Sequence, residues 1–212
     1  MTLGELTTLV SSSIARGTSL DTQIPNFIRM AARWLERNHS FKYMERFGQF
    51  SFDISANEPR RLSLPNSRVK KIEMARGVLT DGSFQKQKQI DPEELNSIQV
   101  GMPKSFWLDG VNCLVFDKTP DENYTEELKW IEFTSWPTDA AAETWLLVHA
   151  EDLLLARTML HMAPFMRDQK LKTYWQELAS TSLTTVLHTD AEMRGGSRSD
   201  VMNYAGAFRN DD

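Results

Sequence analysis

Gly48-Gln49-Phe50-Ser51-Phe52-Asp53-Ile54 is the stretch where the chain changes period. Phe50, Phe52 and Ile54 alternate with polar residues, as a half-buried strand requires. Just upstream the spacing is helical. Ile24, Phe27, Ile28, Ala31, Trp34 and Leu35 recur at steps that place them on one face. Asp21 is a natural N-cap for that helix, and Pro25 falls in its first turn, where a missing N–H does little harm. The helix is expected to end near Asn38–His39. Further back, Leu3, Leu6, Val10 and Ile14 predict an earlier helix, with Thr2 and Glu5 as a capping box and Gly17 as its stop.

Downstream the strand period persists. Arg60 to Leu64 alternates and stops at Pro65-Asn66-Ser67, a turn, and Val69 to Met74 reads as the next strand. Asp81-Gly82 predicts a hairpin between Val78-Leu79 and the polar strand Phe84–Ile90. Asp91-Pro92-Glu93-Glu94 starts a short helix, and Gly101-Met102-Pro103 breaks the chain. The clearest hairpin joins Phe106–Leu108 to Val111–Phe116 through Asp109-Gly110. After the turn at Asp117–Asp121, the set Tyr124, Glu126, Leu128, Trp130 and Glu132 leads into a last strand ending at Trp136-Pro137.

Helical spacing then returns. A third helix, capped by Asp139 and stopped by Pro164, is apolar over most of its circumference. Leu146, Leu147, Ala150, Leu153, Leu154 and Arg157 lie close on one side, so it is the expected central helix. A fourth, capped by Asp168, turns Leu171, Tyr174, Trp175, Leu178 and Leu183 inward and reaches about His188–Thr189. The pattern predicts an α+β fold: a four-helix bundle-like domain of two N-terminal and two C-terminal helices (residues 1–47 and 138–190). It carries an inserted antiparallel β domain (48–137) and an extended C-terminal tail (191–212).

That tail loses all periodicity at Gly195-Gly196-Ser197, yet carries Val201, Met202, Tyr204 and Phe208 beside Arg198 and Arg209. It reads either as plain disorder or as a docking arm whose spaced apolar residues order on a partner.

Composition narrows the function classes. The 212 residues are 41% hydrophobic with 21 aromatics, ample for a core. No run approaches the roughly 18–20 apolar residues of a membrane span. The N-terminus lacks a secretory signal, so a soluble, non-secreted protein with no membrane partner is expected. Cys113, the one cysteine, sits in an apolar strand and is expected to be a buried thiol. The net charge of −5 divides unevenly: residues 1–90 hold 14 Lys/Arg against 8 Asp/Glu, and residues 91–212 hold 10 against 21. Opposed halves allow copies to associate side by side, or are two solvated faces of one domain.

Catalytic signatures are missing. His149 and Asp152 share a helix face but lack further ligands at metal spacing, and no HExxH, nucleophile elbow, Walker loop or G-x-G-x-x-G occurs. No catalytic residue, metal ligand or cofactor is assigned. Glu126 and Glu127 point to opposite faces of their strand and are expected at the surface. Arg29, Arg33 and Arg37 form a basic helix stripe, either phosphate-seeking or simply solvated. Arg60, Arg61, Lys70 and Lys71, with Arg68, are expected to crowd one hairpin around Pro65-Asn66. There they would either meet phosphates or guard a strand edge. An overall pI of 5.5 argues against primary DNA binding.

The order of motifs resembles the head-to-tail adaptor (connector) proteins of tailed bacteriophages, including the type called tail tubular protein A. The residues carrying the likeness span roughly 1–190. They are the opening helix around Leu3–Leu9, Asp21-Thr22-Gln23-Ile24-Pro25-Asn26-Phe27-Ile28 running into Arg37, and Met44-Glu45. Then come Leu62-Ser63-Leu64-Pro65 before Ile72, Met102-Pro103-Lys104-Ser105-Phe106, the hairpin to Leu114-Val115-Phe116, Asp117–Pro120, Trp136-Pro137 and the helix from Trp145 to Met162. The strand after Tyr124 departs from the pattern in its charge (Glu126, Glu127, Lys129, Glu132). The resemblance implies a homo-oligomeric ring of about twelve copies. That ring would sit in the virion neck, assembled in the host cytoplasm. It would join the portal protein to a tail nozzle or tail-tube protein and let DNA pass non-specifically. By analogy, Val201, Met202, Tyr204, Phe208, Arg198 and Arg209 would dock on the portal, and Arg60, Arg61, Lys70 and Lys71 would meet a subunit or the tail. Other expectations left open are a head-completion or tail-terminator factor and a nucleic-acid-associated regulatory protein.

Overall fold

Thr2 and Glu5 close the first helix as the sequence predicts. The Thr2 N–H donates to Glu5 Oε2 at 2.8 Å, and the Glu5 N–H donates to Thr2 Oγ1 at 3.2 Å. They start α1 (Leu3–Ile14), which buries Leu3, Leu6, Val10 and Ile14. The structure is a computed structural model that describes residues 1–14, 20–52, 58–64, 68–79, 82–94, 99–166 and 169–195. The predicted features at Gly17, Ile54, Pro65-Asn66-Ser67 and Asp168, and the whole segment 196–212, lie outside the described residues. The fold is α+β and divides into two compact units, one of Met1–Tyr43 and the chain from Ser135, the other Met44–Thr134.

In the helical unit, α2 (Ile24–Asn38) buries Ile24, Phe27, Ile28, Ala31 and Leu35 on the face that the spacing predicts, with Pro25 in its first turn. Asp21 is not its cap. It opens a single 3-10 turn, Asp21–Gln23, and its carboxylate accepts the Ser11 hydroxyl at 2.8 Å, fastening the entry of α2 to α1.

The third helix is two helices. Thr144, not Asp139, caps α3 (Trp145–His149), its hydroxyl accepting from the Leu147 N–H. Asp139 instead closes a turn by accepting from the Ala141 N–H. Ala150 leaves helical geometry (φ −144, ψ 36), ending α3 while its carbonyl takes the Leu154 N–H to begin α4 (Glu151–Met166). The sequence around the break suits it: Glu151 and Asp152 stand in the first turn of α4, the end of a helix dipole that favours acids. Pro164 lies within the last turn of α4 rather than ending it at Ala163. As expected, α4 is central, packing on α1, α2, α3 and α5 (Gln169–Met193). The inward set predicted for α5 is only partly right. Trp175 is buried, Leu171, Leu178 and Leu183 are half-buried, and Tyr174 is 56% exposed.

In the second unit the strands are β1 (Glu45–Ser51), β2 (Arg61–Ser63), β3 (Val69–Val78), β4 (Phe84–Lys86) and β5 (Lys88–Gln89). They continue as β6 (Gln99–Val100), β7 (Ser105–Asp109), β8 (Cys113–Phe116), β9 (Lys118–Thr119) and β10 (Thr125–Glu132). One sheet is ordered β1-β10-β3-β4 and is antiparallel. The second is ordered β2-β8-β7-β5, and β6 pairs with β9. The hairpins β3–β4 and β7–β8 stand where Asp81-Gly82 and Asp109-Gly110 place them, with Gly82 and Gly110 at positive φ. The expected polar strand Phe84–Ile90 is split at Gln87. Its first half stays on β3, and its second crosses to pair in parallel with β7. A further parallel pair, β6 with β9, makes the unit mixed rather than wholly antiparallel.

The inner faces enclose Phe52, Leu62, Ile72, Phe106, Leu114, Phe116, Leu128 and Trp130. Phe52 meets Phe116 edge-to-face, with ring centroids 4.8 Å apart. Cys113 is buried in β8.

Candidate interaction surfaces

The charged strand β10 is the ion-paired centre of its sheet. Alternation sends Thr125, Glu127 and Lys129 to one face and Glu126, Leu128 and Trp130 to the other. On the first face, Glu127 Oε2 accepts from Arg76 Nη2 at 2.6 Å and Glu127 Oε1 accepts from Gln49 Nε2 at 2.6 Å. These bonds, with Gln49 and Arg76 on the strands either side, hold the Glu127 carboxyl below the usual carboxylate range. Lys129 Nζ bridges Glu73 at 2.8 Å and Glu45 at 2.9 Å, and these bonds hold its ammonium above the usual lysine range. Two phenylalanines flank this ladder: Phe47 is 59% exposed, and Phe84 is 52% exposed beneath the Arg76 guanidinium, 3.9 Å from its ring centre.

Glu126 corrects the expectation of a surface carboxylate. It is fully buried, because Tyr124, Leu128 and Trp130 share its register and face the core. Gln87 Nε2 donates to Glu126 Oε1 at 2.6 Å, while Glu126 Oε2 and Gln87 Oε1 have no partner. Burial pushes the Glu126 carboxyl up to about 8, against the smaller opposite pull of the Gln87 bond. Protonation spares Glu126 the cost of a buried charge.

The basic hairpin expected around Pro65-Asn66 does not form. β2 and β3 belong to different sheets: Leu62 pairs with Leu114 on β8, whereas β3 pairs with β10. The apolar strand β8, buried along its whole length, is the better cover for Leu62. The Leu64 and Val69 N–H groups donate to the Asn112 and Val111 carbonyls at 2.8 Å each. Arg60 Nε donates to the Phe116 carbonyl at 2.9 Å, and its guanidinium lies over Trp107. Arg61 pairs with Asp109 and with Glu58. Lys70 is half-buried and Lys71 exposed on β3. The four are therefore not one patch.

The helical unit carries two aromatic features outside the predicted sites. A cleft of 110 Å³ is lined by Phe41, Tyr43, Trp145, His149 and Met193, with the His149 ring stacked on Tyr43 at 4.4 Å. That volume is well below that of a typical small-molecule site. The second is the seam between α2 and α4. Phe27 meets Phe165 with centroids 5.3 Å apart, and the Arg157 guanidinium lies 3.4 Å from the centre of the Trp34 ring. Burial pushes Arg157 down to about 10, and burial together with Arg157 lowers His161, one turn on. The sequence held the signal for this second feature: one arginine on an otherwise apolar helix face. Of the α2 stripe, Arg33 pairs with Glu36 at 3.2 Å, and Arg29 and Arg37 are exposed.

Arg198, Val201, Met202, Tyr204, Phe208 and Arg209, expected from the sequence to dock on a partner, lie outside the described residues. Among the described residues, no group of three His, Cys, Asp or Glu is placed to hold a metal, and no helix is long and apolar enough to cross a membrane.

An α+β protein of a helical unit and a sheet unit is the class that this geometry defines. Residues 1–201 match the family of the SU10 adaptor protein, and the chain belongs to that family. No curated protein sequence matches it. Among solved structures, it is similar to a chain in the neck of an empty GTA particle computed with C6 symmetry. The identity is 14%, over 82% of this chain and 91% of that chain, with a TM-score of 0.25.

Proposed function

We propose that this chain is a structural adaptor of the phage neck, forming a ring that joins the portal to the tail and lines the DNA exit channel. The observation that carries the reading is the match of residues 1–201 to an adaptor family. The order of motifs from Leu3 to Met162, which resembles the head-to-tail connectors, supports it independently. In this reading the protein performs no catalysis and takes no cofactor. Its helical part acts as a four-helix bundle-like domain (1–47 and 138–190), the inserted β domain (48–137) faces the next tail component, and about twelve copies close the ring.

The tail 191–212 is the proposed portal arm, with Val201, Met202, Tyr204 and Phe208 as apolar anchors and Arg198 and Arg209 as charged ones. Arg60, Arg61, Lys70 and Lys71 are the proposed contacts to a neighbouring subunit or tail protein. Affinity purification of tagged protein from its source, followed by native mass measurement, tests the whole. A megadalton complex with about twelve copies and one large multimeric partner is the expected result. A lone chain of 24.3 kDa would overturn it. Deleting 196–212 tests the arm, because α5 is already finished by Arg194 and Gly195. Portal binding should be lost with the fold intact, and retained binding defeats the assignment. Reversing Arg61 and Lys71 to Glu should weaken assembly, and unaltered assembly removes them from the interface.

A further inference from the structure

Phe27 meets Phe165 at one end of the α2–α4 seam and Trp34 meets Arg157 at the other, so the two helices run in opposite directions. Arg157, His161 and Phe165 recur every four residues on α4, and Phe27, Met30 and Trp34 fall at steps of three and four on α2. Phe165 is 58% exposed and Met30 52%. The seam is thus an aromatic strip with an arginine near one end, the composition that concentrates binding energy in protein interfaces.

Arg157 differs from the exposed arginines in having a buried Nε with no acceptor. Arg33, Arg46, Arg61, Arg76 and Arg194 each pair with a carboxylate. Among the described residues none pairs with Arg157. Its guanidinium rests on the Trp34 ring. A flat cation held half-dry against an indole, with no carboxylate beside it, is preorganised for one arriving from outside. Desolvation of the cation is already complete on the Trp34 side, so a bidentate partner gains more here than at a solvated lysine.

We propose that the α2–α4 seam is a contact between copies of this chain, in which the Arg157 stacked on Trp34 receives a carboxylate of the second copy while Phe165 and Met30 are covered. The inference rests on the ring reading. Charge favours this occupant: residues 91–212 hold 21 acidic against 10 basic residues, and Asp152, Glu177 and Glu192 stand exposed on the helices of the same unit. A phosphate backbone would instead meet a chain of net charge −5.

Sedimentation of the full chain over a range of concentrations tests it, comparing the native protein with Arg157→Met and Phe165→Ser, alongside urea unfolding of each. Methionine keeps the packing on Trp34 and removes an unpaired charge. Arg157→Met should therefore weaken self-association by roughly tenfold or more while its unfolding midpoint holds or rises. A structural stack between α2 and α4 predicts the reverse, a lowered midpoint with association weakened only in proportion, and that result overturns the proposal. Unchanged association in both variants overturns it and leaves the ring reading standing. A native chain that never self-associates overturns both. Unchanged association with loss of DNA retention by Arg157→Met overturns it in favour of a phosphate ligand. If Arg157→Met fails to fold, Arg157→Lys replaces it, keeping the charge and losing the planar fork. Weakened association at an unchanged midpoint then supports the proposal, and native association overturns it.

Discussion

Asp190 accepts the backbone N–H of Lys42, a residue 148 positions away, and its second oxygen accepts from Arg194 Nε at 2.8 Å. Arg194 in turn donates to the Ser40 carbonyl at 2.7 Å. The last turn of α5 is thereby fastened to the segment that leaves α2. Asp190 is only 7% exposed, so truncating it removes one acceptor from the Lys42 N–H and another from Arg194 Nε. Asp190→Ala should lower stability by about 1–3 kcal/mol and Asp190→Asn by less, since an amide keeps one acceptor. Hydrogen exchange should locate the loss in residues 185–195. Protection there equal to that of the native chain would refute the fastening.

Glu126 should make the protein less stable in mild base. Its folded value of about 8 lies above the ordinary 4.5, so the folded state holds more protons than the unfolded one between those limits. The contribution is whole below pH 4.5 and is lost as pH rises towards 8, with a slope of at most roughly 1.4 kcal/mol per pH unit. Glu127, whose carboxyl is lowered by Gln49 and Arg76, acts in the opposite sense, and its contribution is lost only in acid. Glu126→Gln should flatten the upper window. Urea unfolding at pH 5, 7 and 9 measures it, and an unchanged pH slope in the variant would count against a protonated Glu126.

Gly77 is required by the same buried corner. A Cβ on it would stand 2.2 Å from Met102 Cε and 3.1 Å from Glu126 Oε1. The methionine end can swing away, but the carboxyl held by Gln87 has less freedom. Gly77→Ala should destabilise by about 1–3 kcal/mol, as overpacking does. Adding Met102→Ala should recover part of that loss. No recovery in the double variant would place the strain at Glu126 instead.

These residues show where the sequence was readable. Local patterns were: the Thr2–Glu5 box, the apolar faces of α1 and α2, the hairpins at Gly82 and Gly110 and the central α4 all follow from spacing and turn chemistry within a few residues. Partner choice was not. Nothing in Arg60–Lys71 says that β2 will leave β3 for β8, since that depends on Leu114 fifty residues on. The break at Ala150 was likewise hidden, because apolar spacing runs through it and Thr144 competes with Asp139 for the cap. Glu126 was legible by register but misread by residue type: its alternation with Leu128 and Trp130 already pointed it inward. The Arg157–Trp34 stack needed a contact between helices, although a lone arginine among leucines was its trace.

Lys129 settles whether the charge on β10 is structural. Its ammonium lies between Glu45 and Glu73, and the Glu45 side chain is only 6% exposed. Lys129→Met takes away a cation that both carboxylates share and leaves them facing each other on a partly dry sheet. The variant should lose about 1–3 kcal/mol, a value held down by the partial exposure of the lysine. Lys129→Met with Glu73→Gln should be more stable than Lys129→Met alone, because the second change removes one of the opposed charges. Denaturant titrations of the native, single and double variants give the comparison. Additive losses would mean that the three side chains stand independently on the surface, and that the ladder does not hold β1, β10 and β3 in register.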